Sequence, residues 1–393
     1  MNIVFFRYKN ICETDYIEAF KQLGINVVEV DLNSIKADSL EKRANAVGEH
    51  IKINTPMFVF TINYFPYISI VCEALKVQYV SVSVTCPMIE IYNTTIRNSC
   101  NKVFLFDKEQ YLSIRNENPG GIFYLPLAAA TQRLGLVAES PSDYKFDISF
   151  IGSLYKEKDP FTNLKLSDED LSRFESLMQR QLETSIYSQD YLEKEITDVD
   201  VQKIKKASSD FYPSDLSVRD LDRFVAINNF LSPHMTYLER CSVLNKIGQS
   251  FPHKLHLFTG SDTNNISSVK NGSISVHGPV NSITEMPLVF RDSKINLNTT
   301  TRSMKSGLAQ RIWDVLGCGG FLLSNYQPEL EDYFEIGKDL EVYENYDELI
   351  EKIDYYLKNE DKRLEISSNG CLTVKTSHST LNRVIEIIQK IAP

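Results

Sequence analysis

Short apolar runs alternate with amphipathic helical patterns along most of the chain. Among the first 130 residues, helical patterns such as ETDYIEAFKQLG separate apolar runs of strand length: NIVFF, INVVEVDL, PMFVFTIN, QYVSVSVT and KVFLFD. In that helical pattern Ile17, Phe20 and Leu23 share one face, and Gly24 follows as a helix C-cap. Strands that alternate with helices predict βαβ units and a parallel sheet. The N-terminal part is therefore predicted to be a Rossmann-like domain.

The same alternation returns after a lapse in periodicity near residues 137–146. The runs DISFIGSLY, KLHLFTG, ISVHGPV, KINLNTT and GGFLLSN predict a second parallel sheet, and the stretch after the first of them is helical and highly charged. We therefore predict an α/β protein of two doubly wound domains. The expected divisions are an N-terminal domain over 1–140, a C-terminal domain over 141–375 with a helical insertion over about 161–250, and a C-terminal helix over 376–393 that is a candidate to cross back onto the first domain.

Composition and charge narrow the class of protein. A chain of 393 residues with 42% hydrophobic and 24% charged residues suits two globular domains. The formal charge of −10, without a block dense in lysine and arginine, argues against a nucleic-acid partner. Seven cysteines without a CxxC or zinc-type spacing indicate reduced thiols and no metal site.

The N-terminus and the longest apolar stretch predict neither a signal peptide nor a membrane span. The chain goes from Met1 directly into an apolar run without a basic segment, and the stretch 58–75 is interrupted by Asn63 and Pro66. We expect a cytoplasmic protein, with peripheral membrane association only through a partner.

Polar and basic residues follow the predicted strands of the second domain, where doubly wound sheets bind their ligands. A helix predicted to start near Ser306 or Gly307 would direct its free N–H groups and positive dipole end at phosphate oxygens, and Arg302 would add a charge there. Asp314, on an inward face, would accept hydrogen bonds from a ribose diol. The alternative is that Arg302, Arg311 and Asp314 form an ion-pair network at the domain surface.

The second half then resembles a known family. The segment from GPVNSITEM through GLAQRIWDVLGCGGFLLSN to YDELIEKI resembles the nucleotide-binding half of GT-B glycosyltransferases, most closely the spore-maturation (CgeB-like) group, and INYFP, FDKEQY and DISFIGSLYKEK resemble its N-terminal half and domain junction. The resemblance implies two Rossmann-like domains that face each other across a cleft.

The resemblance also implies roles for individual residues. Ser306 and Asp314 match the two acidic positions of the retaining signature: Asp314 keeps the carboxylate for the ribose, whereas Ser306 lacks the one near the donor sugar. The loop from Gly152 has Ser153 where relatives carry an arginine but keeps Lys158, so Lys158 and Arg302 are the candidates for the diphosphate. The expected donor-binding residues are Gly152, Ser153, Lys158, His277, Gly278, Arg302, Ser306, Gly307, Arg311 and Asp314.

Acceptor chemistry is expected from the ends of the strands in the first domain. The candidates there are Arg7, Tyr8, Asn63 and Tyr64. Glu13, predicted with Arg302 to be catalytic, or Asp15 would position a hydroxyl or act as a base; an acidic residue just before a helical stripe is also an ordinary N-cap, and we favour the cap for Asp15.

These observations predict a glycosyltransferase of the hexosyl- or N-acetylhexosaminyl-transferase class. It would move a sugar from a nucleoside diphosphate, with UDP as the expected nucleotide, to a protein or glycan, with retention implied by the resemblance. No DxD lies where a metal-dependent transferase needs one, so fixed cations would stabilise the leaving group, and no cofactor is expected. The alternatives are a sugar-nucleotide epimerase or hydrolase on the same scaffold, and a catalytically silent nucleotide-sugar-binding module.

Overall fold

The chain divides into two units. The computed structural model describes residues 2–35, 38–135, 143–185, 187–213 and 215–392, so the predicted boundary at residues 140/141 lies outside the described residues. Unit 1 comprises Met1–Ala130, Asp215–Arg219 and Ser377–Pro393. Unit 2 comprises Thr131–Ser214 and Asp220–Thr376.

Unit 1 is built on a parallel sheet. Its described strands are β1 (Asn2–Arg7), β2 (Asn26–Asp31), β3 (Phe58–Ile62), β4 (Gln78–Val82), β5 (Asn101–Leu105) and β6 (Ile122–Tyr124), in the order β2-β1-β3-β4-β5-β6. Residues Ile3 to Phe6 of β1 are fully buried, as expected of a parallel strand that is covered on both faces. The sheet changes direction of growth between β1 and β3, so the loops after these two strands form its switch point.

The helices of unit 1 follow the predicted alternation. They are α1 (Glu13–Gln22), α2 (Leu40–Asn54), α3 (Pro66–Leu75) and α4 (Lys108–Ile114), with short 3₁₀ turns at Leu32–Ser34, Ile89–Tyr92, Thr94–Arg97 and Arg115–Glu117. Helix α1 buries Ile17 and Phe20 against the sheet, and Gly24 follows it with a φ of 73°, a left-handed conformation that glycine adopts without strain. This confirms the predicted first βα unit.

Unit 2 contains the second parallel sheet. Its described strands are β7 (Phe146–Ile151), β8 (Leu255–Phe258), β9 (Ile274–His277), β10 (Ser293–Asn298), β11 (Leu322–Asn325) and β12 (Glu341–Tyr343). The order β12-β11-β10-β7-β8-β9 is that of a Rossmann sheet, with its switch point between β7 and β10. The prediction of two doubly wound sheets is confirmed.

Helices cover the sheet of unit 2 and form the insertion. The described ones are α5 (Thr131–Gly135), α6 (Asp168–Thr184), α7 (Asp190–Glu195), α8 (Asp198–Ala207), α9 (Asp222–Val225), α10 (Ser232–Ser250), α11 (Ser267–Lys270), α12 (Met286–Arg291), α13 (Gln310–Gly317), α14 (Tyr346–Lys358) and α15 (Glu360–Ser377). A π-helical turn, Ala226–Leu231, precedes α10, and 3₁₀ turns lie at Lys156–Lys158, Pro160–Asn163 and Pro328–Asp332. Helices α6 to α10 follow β7 and precede β8, where the charged helical pattern occurs in the sequence.

The final helix, α16 (Thr380–Ile391), belongs to unit 1. Val384, Ile387 and Ile391 pack into the same core as Ile17 and Phe20 of α1. The helix begins with a capping box between Ser379 and Asn382. Within the part of the chain that the structure describes, no helix has the length and apolar character needed to cross a membrane.

Candidate functional site

Arg240 lies at the switch point of unit 2. Helix α10 leads into β8, so its N-terminal part lies at the edge of the sheet where the strands end. From there the Arg240 guanidinium donates to the carbonyl of Ser153, after β7, at 2.5 Å and to the carbonyl of Thr299, after β10, at 2.7 Å. One arginine therefore joins the two loops at which a Rossmann sheet binds its ligand.

Arg240 carries a charge that its neighbours leave unmatched. It is 8% exposed, and its Nε–H has no hydrogen-bond partner among the described residues. Its contacts beyond the two carbonyls are the rings of Phe150 and Tyr155, with centroids 5.5 and 4.9 Å away. Burial lowers the pKa of Arg240, which means that its surroundings do not fully replace the lost hydration.

Arg311 is a second cation of this kind, and it lies on α13, the helix that the sequence predicts to face the phosphates. Its guanidinium contacts the sulfur of Met286 and lies 5.1 Å from the Phe290 ring centroid. Burial lowers the pKa of Arg311, the nearby Asp314 opposes this effect, and the positive charge of Arg240 adds to it. Two arginines thus repel each other in unit 2, and no described carboxylate forms a salt bridge with either, so a bound anion would stabilise both.

Asp314 lies one turn further along α13. It is half-buried, and its carboxylate accepts a hydrogen bond from the Gln310 amide at 2.9 Å. It is therefore on the same helix as Arg311 and three residues away from it, the spacing at which side chains are neighbours. This placement is compatible with the predicted ribose contact.

The loop after β7 has the special backbone geometry that a ligand loop needs. Gly152 has a φ of 156°, and Tyr155 is left-handed with a φ of 75°. The Ser153 carbonyl accepts the hydrogen bond from Arg240, and the Ser153 hydroxyl donates to Glu157 at 2.6 Å. Lys158 is exposed, with its Nζ 5.2 Å from the same Tyr155 ring that Arg240 contacts. Lys158 is therefore a third cation near this loop, and its contact with a diphosphate stays a prediction.

Arg302, in contrast, does not have the geometry of a diphosphate ligand. It forms a bidentate ion pair with Glu239, and a further guanidinium nitrogen donates to the Ser185 carbonyl at 2.6 Å. Both charged side chains are 1% exposed. Because its donors are already directed at protein atoms, Arg302 would have to leave this pair to bind phosphate. The diphosphate role predicted for Arg302 does not fit this geometry, and the buried pair with Glu239 also differs from the alternative, a surface network with Arg311 and Asp314.

The expected start of the phosphate-binding helix is also corrected. Helix α13 begins at Gln310 with Ala309 as its N-cap, so Ser306 and Gly307 lie in the preceding loop. The Ser306 hydroxyl donates to the buried carboxylate of Glu329 at 2.6 Å. A carboxylate from the loop after β11 therefore lies beside the position where the signature has its own acid.

His277 ends strand β9, and Gly278 follows it. The His277 ring stacks on Phe258 with centroids 4.4 Å apart, and its Nε2 lies 3.1 Å from Nδ1 of His256. Burial lowers the pKa of both histidines, and the proximity of His277 lowers that of His256 further. The HGPV loop thus starts from a neutral, stacked histidine pair at the rim of the sheet.

Three residues predicted for the acceptor side or catalysis have structural roles in unit 1. Glu13 is fully buried and accepts from the Tyr8 backbone N–H at 2.7 Å and from Arg7 at 3.3 Å. Arg7 also pairs with Glu29 at 2.5 Å. Tyr64 is 1% exposed and donates to Thr95. The catalytic role of Glu13 and direct acceptor contacts from Arg7 and Tyr64 therefore do not fit this geometry.

The helix start in the same region is corrected too. Helix α1 begins at Glu13 with Cys12 as its N-cap, so Asp15 lies inside the first turn rather than at the cap. Of the predicted acceptor residues, Tyr8 and Asn63 do lie half-buried at the ends of β1 and β3, where the Asn63 amide donates to the Tyr8 hydroxyl at 3.0 Å. These two residues mark the switch point of unit 1.

Arg240 is the site residue that the sequence analysis missed. Its signal is an adjacent Glu–Arg pair inside an otherwise largely buried helix that starts at the ligand edge of the sheet. Among the described residues, no three or more histidine, cysteine, aspartate or glutamate side chains are grouped so that they could hold a metal ion.

One region of the chain matches a known protein family. Residues 251–389 match the family model described as glycosyl transferase-like, which covers β8 to β12 and most of α16. No curated protein matches the sequence significantly.

Solved structures resemble the whole chain. A glycosyltransferase from Rickettsia africae ESF-5 has 12% identity and a TM-score of 0.56, over 100% of this chain and 98% of that one. Anabaena Alr3699/HepE in complex with UDP-glucose has 10% identity and a TM-score of 0.54, over 100% and 99%. The sucrose-phosphate synthase (tll1590) from Thermosynechococcus elongatus has 10% identity and a TM-score of 0.56, over 99% and 98%. The predicted GT-B fold is confirmed.

Proposed function

We propose that this chain is a glycosyltransferase that takes its sugar from a nucleoside diphosphate bound to unit 2. The chain has the GT-B fold, and its residues 251–389 match a glycosyl transferase-like family model. The proposed donor site rests on Arg240 and Arg311, which lie at the ligand edge of a Rossmann sheet. Arg240 is buried, Arg311 is half-buried, and neither forms a salt bridge with a carboxylate among the described residues. A diphosphate supplies the charge that this site lacks.

Each part of the donor has a matching part of unit 2. Arg240, Arg311 and Lys158 would hold the diphosphate, while Asp314 would accept hydrogen bonds from the ribose. Gly152 and Ser153 bring backbone close to the phosphates, and the loop His277–Gly278 would meet the base. Ser306 and Gly307, beside Glu329, remain the candidates for the donor-sugar end. UDP is the proposed nucleotide because HepE, which shares the fold, was solved with UDP-glucose.

The proposed chemistry follows from the charges. When the bond between sugar and diphosphate breaks, negative charge accumulates on the leaving phosphate. Cations that the fold already holds in place stabilise this charge without reorganisation, which lowers the barrier to transfer. Metal independence, retention of configuration and membership of the CgeB-like group stay part of this proposal, as does a protein or glycan acceptor bound by unit 1.

Calorimetry with UDP and with a set of UDP-sugars tests the donor site. Arg311→Gln and Arg240→Lys should each raise the Kd for UDP about tenfold or more, since removing or displacing one charge-assisted contact weakens binding by about 1.5–3 kcal/mol. Arg180→Gln, which removes an exposed arginine on α6, is the matched control and should leave the Kd unchanged. Equal, small effects of all three substitutions would remove the site from these residues.

Product analysis separates the proposed enzyme from its two alternatives. A transferase releases UDP faster when an acceptor is present. An epimerase would convert the UDP-sugar to an isomer with no acceptor, and a hydrolase would release UDP and free sugar at a rate that no acceptor changes. A silent binding module would bind UDP with no turnover of any donor.

A further inference from the structure

The switch point of unit 1 has strained backbone and polar side chains at the place where an open parallel sheet forms a crevice beyond its strand ends. It lies between the loops after β1 and β3, where Lys9 has a φ of 72° and Asn63 a φ of 59°. Left-handed backbone at residues other than glycine is unfavourable and tends to be kept where a site requires it. In an open parallel sheet this crevice is also where a ligand binds.

Asn63 fixes the geometry of the crevice. Its side-chain oxygen accepts from the backbone N–H of Val84, after β4, at 2.9 Å, and its amide donates to the Tyr8 hydroxyl at 3.0 Å. A second amide, that of Asn10, donates to the same hydroxyl at 3.2 Å. The Tyr8 hydroxyl is therefore held by loops after β1 and β3 at once.

The Tyr8 hydroxyl is left with a proton to donate. A hydroxyl has one proton and two acceptor lone pairs, and the two amides use both lone pairs. Among the described residues no acceptor receives the O–H of Tyr8. Burial raises the pKa of Tyr8 to about 12, so the hydroxyl stays protonated at neutral pH and remains a donor. The crevice therefore presents a fixed donor to an oxygen atom of a ligand.

Aromatic rings lie next to this donor. The Phe65 ring packs edge-on against Tyr8 with centroids 5.4 Å apart, and Tyr67 packs edge-on against Phe65 at 5.9 Å. All three residues are half-buried. A ligand here meets an apolar surface and a directed hydrogen-bond donor side by side.

We propose that the acceptor is a saccharide, whose apolar C–H face lies against Phe65 and Tyr8 while one of its oxygens accepts a hydrogen bond from the Tyr8 hydroxyl. This inference rests on the proposed function, of which it names the acceptor class. A sugar ring has apolar C–H groups and oxygen acceptors side by side within one ring. The crevice has the complementary groups, an aromatic surface next to a hydroxyl donor. The long apolar chain of a lipid does not need the fixed donor, and a flexible peptide makes less use of a flat aromatic surface.

The experiment uses the full chain, a UDP-sugar donor found by calorimetry, and three sets of acceptors. These are p-nitrophenyl mono- and disaccharides, a serine- and threonine-containing peptide, and a polyprenyl phosphate in detergent. Transfer to a saccharide is expected, and Tyr8→Phe, which deletes only the hydroxyl, should lower kcat/KM for that saccharide at least tenfold with an unchanged Kd for UDP. Phe65→Ala should raise KM for the saccharide. Tyr111→Phe, at a half-buried tyrosine on α4, is the control and should behave as wild type.

Direct binding keeps the test independent of turnover. Saturation-transfer NMR of the same saccharides should show contacts with the wild type and weaker contacts with Phe65→Ala. Transfer only to the peptide or the polyprenyl phosphate, or wild-type kinetics in Tyr8→Phe, would overturn the saccharide crevice and leave the transferase intact. Absence of saccharide binding by NMR would also overturn it. Failure to bind UDP is the separate outcome that removes the proposed function itself.

Discussion

Arg302 and Glu239 form a buried bidentate ion pair in unit 2, with Nε–Oε2 and Nη2–Oε1 distances of 2.8 Å each. The hydroxyl of Tyr346 donates to the same carboxylate at 3.2 Å, and the Arg302 backbone N–H donates to Thr236 at 2.9 Å. The loop after β10 is therefore tied to α10 through this pair. Because α10 also carries Arg240, the pair fixes the loop that Arg240 contacts.

Arg302→Met should destabilise the chain. It leaves the Glu239 carboxylate buried and unpaired, and breaking such a pair on one side costs about 3–5 kcal/mol of unfolding free energy. Urea unfolding measures this change. The double substitution Arg302→Met with Glu239→Leu should recover a large part of the loss, because it removes both charges. If Arg302→Met keeps the wild-type stability but raises the Kd for UDP tenfold, Arg302 is a diphosphate ligand and not a structural residue.

Asp314 should recognise the ribose. Wild-type protein is expected to bind UDP more tightly than 2′,3′-dideoxy-UDP, because a carboxylate that accepts from the diol loses its partners in the dideoxy nucleotide. Asp314→Ala should bind both nucleotides with similar affinity, about tenfold or more below that of the wild type for UDP, since hydrogen bonds to a charged group contribute about 1.5–3 kcal/mol. Calorimetry gives the four affinities of this cycle. Discrimination that survives in Asp314→Ala would place the ribose elsewhere.

The fold was predictable where each element has a strong local pattern. Strands such as β1 are buried on both faces and read as continuous apolar runs, and α1 shows its buried face at helical spacing. The strands β6 and β12 were not predicted because each is only three residues long. The start of α13 was predicted near Ser306 or Gly307, but the helix begins at Gln310, and the Ser306 hydroxyl donates to Glu329 from the preceding loop.

The candidate donor site was harder to predict, because side chains of the same type contact different partners in the folded chain. Arg302 lies in the loop after β10 and Arg240 contacts that loop, yet Arg302 pairs with the Glu239 carboxylate, whereas Arg240, adjacent to Glu239 on α10, donates to backbone carbonyls. Which arginine keeps an unmatched charge depends on tertiary contacts between α10 and two strands. No spacing in the sequence contains that information. Glu13 illustrates the same point, since only the fold shows that its carboxylate holds the loop after β1.

Chelation should not abolish transfer. Cations supplied by side chains would stabilise the leaving diphosphate, so EDTA should change kcat less than twofold, and added Mg²⁺ or Mn²⁺ should change it by a similarly small factor. Arg311→Gln should lower kcat strongly under the same conditions, because losing one fixed donor to a developing charge lowers rates by about a hundredfold or more. The assay is UDP release with a saturating donor. A loss of activity in EDTA that Mg²⁺ restores would show that a divalent ion replaces the proposed arginine role.

Acid should destabilise unit 1 through His378. Its Nδ1 lies 2.9 Å from the guanidinium of Arg383, and burial together with that charge lowers the pKa of His378 from 6.5 to about 4. A histidine with a lowered pKa stays neutral in the folded chain, while the unfolded chain binds a proton below pH 6.5. The contribution of His378 to the free energy of unfolding is therefore fully present above pH 6.5 and is lost as the pH drops towards 4. Because this histidine is only partly buried, we expect the fall to be about 1–2 kcal/mol.

Urea unfolding from pH 7.5 to pH 4.5 measures it, and His378→Gln should show a fall that is smaller by this amount. His253→Gln, which replaces an exposed histidine, should keep the wild-type pH slope; an equal slope in all three proteins would contradict the assignment.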